Sequence, residues 1–307
     1  MILSKMKYVM ADFLKKHPHR IAQIRRLAEY LSPEDTALFD YRVKSVPRWP
    51  PGIPHAELYR ILDASRDQYI KYLEQLLLLK TCFLNIPVEK NGTAPDRPCW
   101  RNGWMPALDG AAVYGSIALQ KPKRYMEVGS GNSTKFASAA VREHHIDAEI
   151  ISIDPMPRTG IDELCTEVIR KPLEDCDLEI FSRLQANDVL YIDCSHRALM
   201  NSDATVFFLE VLPRLAEGVV VGIHDVMLPY DYPADWAGRW YSEQYLLACY
   251  LLAGWSRMEV LLPSYFVSCD NELSKIMGPL WGLPAMRGIE THGCSFWLRL
   301  RQQGAPH

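Results

Sequence analysis

Apolar residues recur along this chain with two distinct periods. Up to about residue 120 the spacing is helical. Ile21, Ile24, Leu27 and Leu31 fall on one helix face. Ser32-Pro33-Glu34-Asp35 then starts another helix, with a capping serine, a proline at the first position and acids in the first turn. Val46–Pro54 is too rich in proline for a helix or central strand and reads as an extended segment. From His55 to about Leu79, the positions Leu58, Ile61, Leu62, Tyr69, Leu73, Leu76 and Leu77 mark one long amphipathic helix. A loop carrying Trp100 and Trp104 leads to a helix over Leu108–Leu119. Its Asp109 and Tyr114 either line a pocket or serve as a helix cap and a core aromatic.

From Arg124 the period changes. Short apolar runs suited to buried strands alternate with helical stretches, the order of a mostly parallel sheet covered on both faces. The first strand contains Tyr125, Met126 and Val128; Ile150–Ile153, Glu167–Ile169, Val189–Ile192 and Gly218–Ile223 follow. Helices are expected over Thr134–Arg142, Leu178–Leu184, Asp203–Leu212 and Ser242–Ala253. Val260–Val267 and Ser295–Leu300 supply the last two strands. The expected fold is α/β, a Rossmann-like doubly wound, mostly parallel sheet with a final antiparallel strand. Residues 1–99 form a helical N-terminal extension, acting as a lid or packing on the sheet or on a second subunit of a homo-oligomer. Residues 100–307 hold the sheet.

Composition narrows the function. With 307 residues, 48% of them hydrophobic, the chain can build a full core without disulfides or metals as staples. A formal charge of −3 with no basic stripe argues against a nucleic-acid partner. The 8 cysteines are scattered with no Cys-x-x-Cys pair, which excludes a zinc ribbon or thioredoxin-type site and suits a reducing compartment. Lysines interrupt the apolar residues of the first twenty positions, so neither a signal peptide nor a membrane span is read there. The expectation is a cytoplasmic protein that works on a small molecule, away from membranes.

The chemistry gathers at strand ends. In an open α/β sheet, ligands bind outside the carboxyl ends of the strands, beside the point where strand order reverses. After the first strand, Gly129-Ser130-Gly131 breaks the run just before a helix, allowing close backbone approach and offering free N–H groups to a nucleotide-like ligand. The second strand ends at Asp154, roughly 20 residues on, where a carboxylate can accept both hydrogens of a ribose diol. Glu174 and Asp175 follow the third strand, where one of them meets an adenine amino group or both cap the next helix. The fourth and fifth strands end in Asp193-Cys-Ser-His196 and His224-Asp225. Two carboxylates and two imidazoles can bind a divalent metal, and a neutral histidine can remove a substrate proton.

The pattern Glu127-x-Gly129-x-Gly131 resembles the first motif of class I S-adenosylmethionine-dependent methyltransferases. A dinucleotide fingerprint would place a third small residue where Thr134 stands. Asp193-x-x-His196, His224-Asp225 and Leu228-Pro229-Tyr230-Asp231-Tyr232-Pro233 sharpen the likeness, which spans roughly Trp100 to Phe266. They resemble a bacterial-type family related to sugar and antibiotic O-methyltransferases and to cephalosporin-hydroxylase-like proteins. The resemblance implies transfer of a methyl group from S-adenosylmethionine to an oxygen, less readily a nitrogen, of a small-molecule acceptor. It places the cofactor on Glu127, Gly129, Ser130, Gly131, Ser133, Asp154, Glu174, Asp175 and Asp193, with His196 as general base beside Asp193. Metal-dependent relatives hold magnesium on positions matching Asp193, His224 and Asp225. Here His224 replaces one acid, which favours zinc, manganese, iron or no metal. Tyr230, Arg239, Tyr241 and Glu243, after the fifth strand, are the candidate substrate contacts beside His196. The competing readings are a NAD(P)-dependent oxidoreductase and a non-catalytic cofactor-binding subunit.

Overall fold

The computed structural model describes residues 44–90, 92 and 94–302. The helical readings over Ile21–Leu31 and at Ser32–Asp35 lie outside the described residues. From Val46 onward the chain makes one compact unit.

Seven strands form one sheet in the order β3-β2-β1-β4-β5-β7-β6. They are β1 (Arg124–Val128), β2 (Glu149–Ile153), β3 (Glu167–Ile169), β4 (Val189–Ile192), β5 (Val220–Ile223), β6 (Met258–Pro263) and β7 (Phe296–Leu300). The first five run parallel, and β7 enters antiparallel between β5 and β6. This is the Rossmann-like doubly wound arrangement expected. The central strands β4 and β5 are buried along their whole length, which is why their sequences are continuous apolar runs rather than alternating ones. The strand order reverses between β1 and β4, and a crevice opens at their carboxyl ends.

The helical layer begins with α1 (Ala56–Asp63) and α2 (Arg66–Leu78), followed by the short α3 (Lys80–Leu84). Leu58, Leu62, Tyr69, Leu73 and Leu76 are buried in the same core as the sheet. The single helix expected over 55–79 is in fact broken at Ala64-Ser65. Its apolar stripe runs through the break, so periodicity alone could not reveal it. Next in the chain, α4 (Ala107–Gln120) lies against α5 (Asn132–Glu143), and a Cβ at Gly110 would come within 2.7 Å of the Phe136 ring.

Other boundaries move as well. The apolar run Val260–Val267 is not one strand: β6 stops at Pro263, and Ser264–Cys269 turns into helix α6. A short apolar run cannot by itself tell strand from buried helix. Leu178–Arg183 is a 3₁₀ helix, and the helix starting at Asp203 widens into π turns over Phe207–Val211. Tyr114 is a core aromatic whose hydroxyl donates to Glu143 at 2.9 Å. Asp109 does not cap its helix. It is fully buried, and its Oδ1 accepts from Ser295 N at 2.8 Å and Ser295 Oγ at 2.5 Å, pinning α4 to the start of β7.

Candidate active site

A cleft of about 610 Å³ lies across the carboxyl ends of β1, β2, β4 and β5. That size suits a nucleoside-bearing ligand together with a small partner. One wall is the turn after β1. Gly129 has φ +81°, and a Cβ there would lie 1.7 Å from the backbone oxygen of Asp193. The ends of β1 and β4 can approach this closely only over a residue with no side chain. Gly131, by contrast, has φ 171°, which is extended backbone, and the nearest atom to a Cβ there is Thr159 Cγ2 at 3.8 Å.

The turn is held from below and from the side. Glu127, fully buried on β1, accepts hydrogen bonds from Tyr125 (2.8 Å), Ser133 (2.9 Å) and Thr134. Burial pushes its carboxyl up to about 7, against the pull of those hydrogen bonds. Asp154, at the end of β2, accepts from Ser130 N and Met156 N, each at 2.7 Å. It faces the cleft, and a carboxylate holding two backbone donors still has lone pairs for a ligand. Glu174 also lines the cleft, and its Oε2 is buried without a partner. An unpaired buried carboxylate oxygen costs free energy until a donor reaches it.

On the loop after β4, lining the same cleft, stands His196. Its Nδ1 lies 2.5 Å from Glu243 Oε1, and its Nε2 lies 3.2 Å from Asp193 Oδ1 and 3.5 Å from Asp225 Oδ2. The Tyr241 ring covers one side at 4.6 Å between centroids. Burial opposes charge on this ring, yet Glu243 and Asp193 outweigh it and raise its pKa well above the ordinary value. For Asp193, burial acts upward, but His224 and His196 hold the carboxyl well below the usual range. Two of these residues sit in left-handed backbone, His196 with φ +60° and Asp225 with φ +53°. Strained backbone of this kind gathers at sites whose surroundings over-determine it.

Residues 126–226 match the family described as a methyltransferase domain. This segment is a methyltransferase domain. An uncharacterized protein of Archaeoglobus fulgidus is 35% identical over 92 residues, which cover 28% of this chain and 42% of that protein. The chain thus spans less than half the length of that relative. Solved structures that resemble it include the methyltransferase PaMTH1 of Podospora anserina with S-adenosylhomocysteine bound. PaMTH1 is 16% identical with a TM-score of 0.39, covering 77% of this chain and 88% of that one. Another is the O-methyltransferase TomG of Streptomyces achromogenes in complex with S-adenosylmethionine. TomG is 14% identical with a TM-score of 0.43, covering 73% of this chain and 96% of that one.

Within and around the methyltransferase domain, most of the residues singled out in the sequence converge. Gly129, Ser130, Gly131, Ser133, Asp154, Glu174, Asp193, His196, His224, Asp225, Arg239 and Tyr241 all line the cleft. Four do not. Glu127 lies beneath the glycine turn, because its carboxylate is taken up by the turn's hydroxyls. Asp175 is exposed outside the cleft, so of the two neighbouring acids it is Glu174 that points inward. Tyr230 is packed away from it against Tyr265, and its carbonyl accepts from Gln244. Glu243 is a buried partner of His196 rather than a substrate contact. Its role was invisible in the sequence because helix α7 (Glu243–Leu252) brings it to His196 from far along the chain. Trp104, Arg158 and Trp236, which also line the cleft, carried no motif.

The magnesium set implied by the resemblance does not fit these residues. His196 Nε2 and His224 Nδ1 already face the oxygens of Asp193 and Asp225, at 3.2–3.5 Å. A hard cation wants those oxygens for itself, with no imidazole between them.

Two outcomes follow from the turn. Gly129→Ala meets both a positive φ and a backbone clash, and destabilises the fold by about 1–3 kcal/mol or more. Gly131→Ala meets neither and changes stability by no more than about 0.5 kcal/mol. Denaturant titration of the two variants compares them directly; equal losses would dismiss the close approach at Asp193. Glu127 gives a pH signature. Its carboxyl ionises near 4.5 when unfolded and near 7 when folded, so folding favours the protonated form. The stability it lends is therefore present below about 4.5 and lost as pH rises through about 7, by about 3 kcal/mol in all. Glu127→Gln removes that part of the pH dependence, read as the difference from wild type between acid and alkaline unfolding curves.

Proposed function

We propose that this protein transfers the methyl group of S-adenosylmethionine to an oxygen of a small-molecule acceptor, with His196 as general base. The observation that supports the reading is the buried Glu243–His196 pair, whose Nε2 lies between Asp193 and Asp225 in a ring that lines the same cleft as the glycine turn. The donor's sulfonium supplies an already activated methyl group. What remains for the protein is alignment and removal of one proton.

The residues divide those tasks. The turn at Gly129–Gly131 and Asp154 bind the nucleoside part, with Asp154 accepting the ribose diol; Glu174 Oε2 offers a buried acceptor to an adenine amino group. Glu243 fixes the His196 tautomer by accepting a hydrogen bond from Nδ1–H, which directs the Nε2 lone pair to the acceptor hydroxyl, and its charge balances the imidazolium formed. The neighbouring carboxylates raise the proton affinity of His196, so its neutral form is a stronger base than an ordinary imidazole. The titration near 6.5 that an isolated histidine shows is not what this environment produces. Trp236, Arg239 and Tyr241 border the same end of the cleft, with Arg239 stacked 4.0 Å from the Trp236 ring, and form the acceptor's side of the pocket.

The test pairs binding with turnover. Asp154→Ala weakens S-adenosylmethionine and S-adenosylhomocysteine alike, by about ten- to hundredfold, because both carry the ribose diol. His196→Asn leaves S-adenosylhomocysteine binding near wild type in calorimetry. In the same variant, methyl transfer from labelled donor to a panel of phenols and sugar hydroxyls falls by about a hundred- to ten-thousandfold in kcat. Full activity in His196→Asn would remove the base, and binding of NAD in place of the methyl donor would remove the reaction.

A further inference from the structure

The buried residue Asp109 pins α4 to the start of β7, and Cys294 plays no part in the methyl-transfer scheme. Both lie against His224, which lines the cleft, while they themselves are buried behind it. Asp109 comes from the first turn of α4, His224 from the end of β5, and Cys294 from the approach to β7. All three are buried, at 0%, 3% and 4% exposure. We propose that Asp109, His224 and Cys294 form a binding site for a zinc-class divalent cation.

Geometry supports this first. Cys294 Sγ lies 3.3 Å from Asp109 Oδ2 and 3.6 Å from His224 Nε2, and the remaining edge, Asp109 Oδ2 to His224 Nε2, is 3.5 Å. A tetrahedral zinc ion with its usual bond lengths to sulfur, nitrogen and oxygen sets such donors about 3.3–3.6 Å apart. The three atoms are thus already spaced as one face of a coordination tetrahedron. Among the described residues, this is the group whose donor atoms all lie within 4.8 Å of one another.

The surroundings orient each donor. Asp109 Oδ1 is held by Ser295, and Oδ2 accepts from Cys294 N at 2.8 Å, so the carboxylate cannot swing away. The second nitrogen of His224 faces Asp193 Oδ1 and Asp225 Oδ1, each at 3.5 Å. A carboxylate behind a ligating imidazole fixes its tautomer and strengthens it as a donor. One thiolate, one imidazole and one carboxylate suit a borderline-soft ion and not magnesium. Binding releases to solvent the Cys294 thiol proton and the Nε2 proton that His224 directs at Asp109 in the metal-free chain, and the two anionic donors then balance the charge of the ion. Three protein donors leave a fourth position, and Asp225 Oδ1, 3.4 Å from Sγ, borders that space. The ion would join α4, β5 and β7 directly beneath the acceptor's place, and the proposal stands whatever the acceptor is.

The experiment uses the full chain, stripped with a chelator and titrated with zinc alone against a chromophoric competitor. The expected result is one ion per chain. Replacement by cobalt gives a thiolate-to-metal charge-transfer band and the visible spectrum of a tetrahedral ion. Cys294→Ser abolishes that band, and zinc affinity drops by more than the roughly 10–100-fold that loss of an outer partner costs. Cys99→Ser, at a buried cysteine outside the cluster, and His196→Asn both keep the ion. If Cys294→Ser fails to fold, the wild-type cobalt spectrum decides alone. A folded wild type that binds no zinc stoichiometrically, a cobalt complex without the thiolate band, or unchanged binding in Cys294→Ser overturns the proposal.

Discussion

The close approach of two strand ends governs this molecule. The carbonyl of Asp193 lies where a side chain on Gly129 would be, so the turn after β1 and the turn after β4 are pressed together. One of these turns carries the glycines that line the cleft, and the other carries an acid and a histidine. Backbone contact between them sets the separation of the glycine turn from Asp193 and His196 without any flexible side chain between. The hydroxyl-bound Glu127 below and the backbone-bound Asp154 beside keep the first turn in register. Helix α7 keeps the second in place, through Glu243 on the imidazole and Ser242 N on the His196 carbonyl.

Charge is concentrated on the far side of that contact. One imidazole is shared among Glu243, Asp193 and Asp225, and a second lies between Asp193 and Asp109. Acids this close would repel one another in the absence of the rings. The histidines are what allow so many carboxylates to be buried together, and each ring is oriented because both of its nitrogens are engaged. With histidine at position 224, the cluster brings nitrogen, oxygen and sulfur atoms together.

Much of this arrangement was legible in the sequence, for a definite reason. Buried parallel strands must be apolar throughout, and their carboxyl ends must be polar where a ligand enters. Asp154, Asp193 and His224-Asp225 therefore announced both the strands and the cleft. What stayed hidden depends on contacts between distant segments. Nothing local marks Glu243 as the partner of His196, or Cys294 as a neighbour of Asp109 and His224. The break between α1 and α2 and the end of β6 at Pro263 escaped because the apolar pattern continues through both. Glycine spacing was readable, yet the backbone showed that only Gly129 carries the steric demand.

The position of β7 has a consequence for how the protein comes into being. Among the described residues the strand is the last in sequence, but it lies inside the sheet, between β5 and β6, and Ser295 and Cys294 just before it clasp Asp109 on α4. During synthesis the glycine turn, Asp154 and the histidines all emerge before β7 is made. A nascent chain that ends short of β7 leaves β6 without a neighbour and Asp109 without its donors. The interior of the sheet and the surroundings of Asp109 are thus completed together, by the insertion of a single late strand.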